Sequence, residues 1–245
     1  MTPLLFFFFL IAFAYSAAGF AGGSSYLMAL TLAGWSQSQS APVALACNLA
    51  VSAIGIWNFH RAGYLRLSFV MPFAALSVPM AFLGSQVHLP KKVFLFLLGT
   101  SLAIAALRLF ISRVDIGLAR PLSARELWKR ALPTGALLGF FSGAIGIGGG
   151  IFLSPLIILS GWAPIAEASA AACFFIFVNS FSGLLGKIQI GAVLSDALPL
   201  LLFSALCGGW LGSRLGTKRL PEVGMRRVLA ALLLFVSANL LLNVF

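Results

Sequence analysis

The amino-acid sequence predicts an all-α, polytopic membrane protein. It is built from two inverted repeats of about five helices each, one helix per repeat being short or re-entrant and entered through a glycine-rich break. Three observations carry this prediction. The 245 residues are 61% hydrophobic and only 9% charged, outside the range of soluble globular domains. Apolar stretches of about the 17 to 25 residues needed to cross a bilayer recur from end to end. The two halves of the chain also match each other in order, as an internal duplication would.

The first repeat is read over residues 1–111, with helices at about 3–19, 24–35, 41–57, 67–84 and 93–111. The opening run "PLLFFFFLIAFAYSAAGF" ends in small residues like a signal peptide. It lacks a positively charged n-region and has a counterpart in mid-chain, so it is expected to be retained as a helix. The second helix has about 11 or 12 residues, which spans roughly 16 to 18 Å, too little to cross an approximately 30 Å hydrocarbon core upright. It is read either as half of a re-entrant hairpin or as a short helix extended by irregular backbone packed against protein. A basic linker over 112–130 follows. The second repeat, 131–245, repeats the pattern with helices at about 131–146, 151–161, 165–186, 193–213 and 226–244.

At an offset of 127 the halves align Phe13 with Phe140, Gly19 with Gly146, Gly22 with Gly149, Gly23 with Gly150, and Gly34, Trp35 with Gly161, Trp162. Leu83, Gly84, Ser85 then match Leu211, Gly212, Ser213 at 128, the drift that a small loop insertion produces.

The net charge of +11 is concentrated in "HRAGYLR", "SRVDIGLARPLSARELWKR" and "SRLGTKRLPEVGMRR", short clusters between apolar spans. That is the distribution of cytoplasmic loops, not of a nucleic-acid-binding face. An odd number of crossings per repeat puts all three clusters on one side, so the expectation is a cytoplasmic linker with both termini outside. Lys91 and Lys92 count mildly against it. Cys47, Cys173 and Cys207 stand singly in apolar segments, as small core residues do, with no metal or redox spacing. No Ser-His, metal-ligand or carboxylate pair stands at useful spacing, so neither an enzyme nor a cofactor is expected.

The stretch "GAIGIGGGIFLSPL", 143–156, places five glycines and a proline inside one of these apolar segments. Glycine permits positive φ and close backbone approach, and the first N–H groups of the helix after such a turn have no intrahelical partner. With the positive end of the helix dipole these donors form an anion site that needs no buried cation. Gly148, Gly149, Gly150 and Ile151, with Gly22 and Gly23 of the first repeat, are therefore candidate binding residues. Plain helix packing is the competing use of such glycines. A P-loop is excluded for want of the Lys-Ser/Thr ending.

With "GIGGGIFLSPLII" followed by the Ala-rich "EASAAACFFIFVNSFSGLL", the sequence resembles the sulfite exporter TauE/SafE family of membrane permeases. The first half is degenerate: "GFAGGSSYLMAL" has Ser24 and Ser25 after its glycines and Met28 where the second copy has Pro155. The resemblance implies secondary transport of sulfite, sulfonates or related small organosulfur anions across the cytoplasmic membrane, usually outward and without ATP. The alternative weighed is a small-anion channel with no gradient coupling. The expected partners are the small anion and the lipid bilayer, with no nucleic acid; a homodimer is the assembly considered.

Further candidates are polar residues within the spans. Asn48 and Ser52 lie one turn apart, and Asn179 occupies the position matching Ser52. Each either bonds a neighbouring helix or lines a cavity. Ser24 and Ser25 could donate hydroxyls to an anion or bond their own backbone. Glu167 follows Pro164 in a first helical turn, where the dipole favours a carboxylate; a proton-coupling role is its functional alternative. Lys187, at a span edge, is read as snorkelling to the surface.

Overall fold

The computed structural model describes residues 2–87 and 122–218 without interruption, with single positions between 92 and 107 and between 227 and 242. The continuous segments form α1 (Thr2–Ala17), α2 (Gly23–Leu32), α3 (Gln37–Arg61), α4 (Leu67–Gln86), α5 (Ala124–Ile145), α6 (Gly150–Leu159), α7 (Ile165–Gln189) and α8 (Leu198–Lys218). No strand occurs among the described residues. The helices expected at 93–111 and 226–244 fall mostly outside the described residues. The positions described within them are helical, and Ser237 donates to the Gly99 carbonyl at 2.8 Å between them.

Several element boundaries differ from the sequence reading: α3 runs four residues further at each end, and α8 ends at Lys218, five residues beyond 213. The starts of α5 and α8 differ for identifiable reasons. α5 begins at Ala124, inside the stretch read as linker. Ser123 and Glu126 form a capping box there: the Glu126 N–H donates to the Ser123 hydroxyl (3.4 Å) and the Ser123 N–H to the Glu126 carboxylate (3.1 Å). A charged surface turn thereby joins the apolar helix that follows. α8 begins at Leu198, not near 193, because the chain first turns through Gly191 at φ 88° and caps on Ser195, whose hydroxyl accepts from the Ala197 N–H at 3.2 Å.

Glycine seams set the helix packing. On α5, Gly135, Gly139 and Gly143 lie directly against the backbone carbonyls of Phe73, Ser77 and Ala81 on α4. On α8, Gly208, Gly212 and Gly216 lie against those of Phe9, Phe13 and Ala17 on α1. A Cβ at any of these positions would collide with backbone, so the four-residue glycine spacing is what lets the helices touch. In both seams the residue numbers rise together, so the paired helices are parallel. The seams also correspond under the duplication: Gly84 abuts the Phe140 carbonyl, and the matching Gly212 abuts that of Phe13.

The centre of the molecule is α3 against α7. Gly55 meets Cys173 while Gly183 meets Leu45, a register that runs in opposite senses, so these two matching helices are antiparallel. α3 runs parallel to α8 through Val51 with Gly209 and Asn58 with Ser213. α4 runs parallel to α7 through Val78 with Ser182 and Gln86 with Gln189. The short α2 folds back along α1, with Ile11 over Gly22 and the Phe8 and Tyr26 rings stacked at 4.6 Å.

α3, α4, α7 and α8 are long and apolar enough to cross a membrane; α1 and α6 are shorter apolar helices. Large apolar side chains stand on the outer surface, among them Leu137, Val193 and Phe203. Exposed apolar side chains of this size are what a lipid solvent accommodates.

Candidate functional site

The two glycine turns come together at Asn48. Glycine at 23, at the start of α2, leaves room for the Asn48 amide, which a Cβ there would strike. Across the centre, a Cβ on Gly148 would lie 3.1 Å from the Asn48 nitrogen and 2.6 Å from the Ser180 hydroxyl. A Cβ on Gly149 would lie 3.0 Å from the Ser142 hydroxyl. One asparagine of α3 thus stands between the break of the first half and that of the second, with a serine from α5 and one from α7 at the second break.

The second turn owes its shape to glycines at positive φ, Gly146 at its entrance and Gly148 and Gly149 within it. Gly148 and Gly149 have φ of 78° and 72°, values that any side chain would make strained. The Gly150 N–H donates to the Gly148 carbonyl at 3.0 Å and that of Phe152 to Gly149 at 3.1 Å. The Gly149 and Ile151 N–H groups have no backbone acceptor among the described residues. In the first turn Ser25 and Tyr26 both donate to Gly22, and the Gly22 and Ser24 N–H groups, the matching pair, are likewise without one.

Three side chains at the second turn are polar, uncharged and unpaired. Asn48, Ser142 and Ser180 are at most 1% exposed, and neither atom of the Asn48 amide nor either hydroxyl has a hydrogen-bond partner. Buried polar groups are satisfied in the great majority of cases, so three orphans beside one turn call for a ligand or an ordered solvent. Every buried residue with a polar side chain of the Ser, Asn or charged type among the described residues is Ser or Asn. The chemistry available is therefore N–H and O–H donation without a fixed cation.

The other candidates are placed differently. Gly22 faces Ile11 and the rings of Tyr15 and Tyr26. Ser25 bonds the Tyr15 hydroxyl at 2.7 Å, and Ser24 is half-buried in the first turn of α2. Ser52 donates to its own helix at the Asn48 carbonyl (2.5 Å), and Asn179 donates to that of Phe175 (2.8 Å), leaving its carbonyl oxygen unpartnered. Gly150 packs tightly on Ala172 and Ile176. Glu167 pairs with Arg66 at 3.3 Å, at the far end of α7. No group of three metal-ligating side chains occurs among the described residues.

Ser180 was not singled out from the sequence. The signal lies in the helical spacing: Ala172, Ile176 and Ser180 recur every fourth residue, and the first two already pack on Gly150. The serine therefore shares the face that meets the turn, whereas Asn179 projects about 100° away.

These features define a polytopic helical membrane protein with a central polar site at paired helix breaks. The chain belongs to the sulfite exporter TauE/SafE family, whose model it matches over residues 4–240. It is 37% identical over 241 residues to a probable membrane transporter protein, y4hK, of Sinorhizobium fredii (strain NBRC 101917 / NGR234), covering 96% of this chain and 95% of that one. It is accordingly a multi-pass membrane transporter. No solved structure matches it.

Proposed function

We propose that this transporter moves small anions, sulfite, sulfonates or related organosulfur anions, outward across the cytoplasmic membrane through a site between the two glycine turns. The observation that carries the reading is the unpartnered Asn48 amide, held between Gly23 and Gly148 with the unpartnered Ser142 and Ser180 hydroxyls nearby. Oriented dipoles of this sort hold a negative solute loosely enough to release it. A buried Lys or Arg would instead cost at least ~2.5 kcal/mol at mid-membrane.

The halves act as inverted repeats that rock about this site. Supporting this are the opposed register of α3 on α7 and the fold-back of α2 along α1. Each repeat then enters and leaves the bilayer an odd number of times, which keeps the basic loops on the cytoplasmic side and both termini outside.

Purified protein in sealed vesicles loaded with sulfite or sulfoacetate tests the substrate. Saturable counterflow of these anions is expected; flux that never saturates would replace the carrier by a channel, and absence of anion flux would remove the reading. Arg125→Cys, on the exposed first turn of α5, tests orientation. It should resist impermeant thiol reagents applied to intact cells, and ready labelling would reverse the topology.

A further inference from the structure

A cavity lies away from the glycine turns, where α3 and α8 end side by side. This cleft of about 660 Å³ is lined by Ala53, Trp57, Asn58, Arg61, Trp210 and Arg214, among others. Two guanidinium groups face it, and no carboxylate is among the described residues that line it. Arg61 sits over the Trp57 ring at 5.4 Å and Arg214 over the Trp210 ring at 3.9 Å, so each cation is braced by an indole. The Asn58 amide donates to the Ser213 hydroxyl at 2.8 Å, tying the two helices together beside the cleft.

Its volume falls in the range of sites for molecules much larger than a sulfite ion. Its surroundings are amphipathic. Phe203 and Trp210, 69% and 44% exposed, stand two turns apart on α8 and lead up to Arg214. Ala53, Trp57 and Arg61 make the matching stripe on α3, all exposed. Apolar tracks that end in paired guanidiniums at a Trp-marked boundary fit a ligand with acyl chains and an anionic head. Helix packing does not require this set. At the positions that match by duplication the chain has Leu184 for Trp57, Ile188 for Arg61, Phe82 for Trp210 and Gln86 for Arg214.

We propose that the cleft between the C-terminal ends of α3 and α8 binds the phosphodiester head of an anionic phospholipid. Arg61 and Arg214 take the phosphate oxygens, and Trp57 and Trp210 flank the glycerol and upper acyl carbons. The site is separate from the transport pathway proposed above and stands whether or not that pathway is correct.

Native mass spectrometry of the full-length protein, titrated with phosphatidylglycerol or phosphatidylcholine, tests this. Phosphatidylglycerol should be retained in preference, and Arg61→Gln with Arg214→Gln should weaken that retention about tenfold or more. Arg61→Lys with Arg214→Lys keeps the charge that sets topology but loses the planar, stacking donors, so it should insert normally and still bind more weakly. Trp57→Leu with Trp210→Leu, which leaves every charge in place, should weaken retention as well. Equal retention of both lipids, or of phosphatidylglycerol by wild type and all three variants, would overturn the proposal. So would displacement of the lipid by millimolar sulfite or sulfoacetate, which would make the cleft a vestibule for the carried anion.

Discussion

Asn48 of α3 lies against Gly148 of the second glycine turn, so that a methyl group at 148 would stand 3.1 Å from the amide nitrogen. The contact joins the two halves of the chain at a point where the amide has no hydrogen-bond partner. Replacing an unsatisfied buried amide by an apolar group of similar shape is close to neutral, or stabilising by about 1–3 kcal/mol. Asn48→Leu should therefore unfold at the same temperature as wild type or higher while losing at least about tenfold in anion counterflow, the usual opposition of stability and function at a site. Wild-type counterflow in a folded Asn48→Leu protein would take this residue out of the pathway.

The seam glycines should behave in the opposite way, controlling stability before transport. At Gly139 a Cβ would run into the Ser77 carbonyl, a backbone atom that cannot step aside without moving α4. Gly139→Ala is expected to cost about 1–3 kcal/mol by overpacking. Gly183 is the control, because a Cβ there meets Leu45 and Gly143 at ordinary contact distances of 3.7 to 3.9 Å. Gly183→Ala should be stabilising by about 0.5–1 kcal/mol through lost unfolded-state freedom. Thermal unfolding in detergent measures both, and a Gly139→Ala protein as stable as wild type would show that the helices are not held by close backbone contact.

The parts of this fold legible in the sequence are those set by composition over many residues. Each long apolar run within the continuously described segments is a helix, and the glycine clusters at 19–23 and 146–150 are breaks. The start of α5 was harder to see because Arg125, Lys129 and Arg130 make the turn after Ser123 look like a loop, although the Ser-x-x-Glu box was present to cap it. Within the candidate site Asn48 was visible as an amide with no reason to be in lipid. Ser180 was not, since nothing local distinguishes it from Ser52. One faces a neighbouring turn and the other bonds its own helix, and that depends on how α3 and α7 are rotated against their neighbours.

Glu167, the candidate for proton coupling, stands in an open ion pair at the surface. It pairs with Arg66 across the two halves, with the Arg66 side chain 60% exposed and that of Glu167 22% exposed. A pair this open contributes at most about 1 kcal/mol. Its position in the first turn of α7 adds a favourable interaction with the helix dipole. Glu167→Gln should lower stability slightly and leave the pH dependence of anion flux unchanged. A flattened pH profile would instead make this carboxylate part of the transport cycle.

The first turn of α5 provides a pH-sensitive helix end outside the apolar stretch that begins at Ala131. The Glu126 carboxyl is held below its ordinary value, first by the Ser123 hydroxyl, then by the Ser123 N–H, with Arg130 and Lys129 adding their charge. Because the native value is depressed, the stabilisation it gives is complete above the unfolded-state value of about 4.3 and is lost as the pH falls through the lower native one. The amides of 124–127 should thus lose protection against hydrogen exchange, corrected for the intrinsic rate, only in strongly acidic solution. Glu126→Gln retains a side-chain acceptor for the box but cannot titrate, so its protection should be the same at both ends of that range. If wild type and Glu126→Gln lost protection in parallel, the acid sensitivity would belong to some other group and the capping box would not be what starts α5.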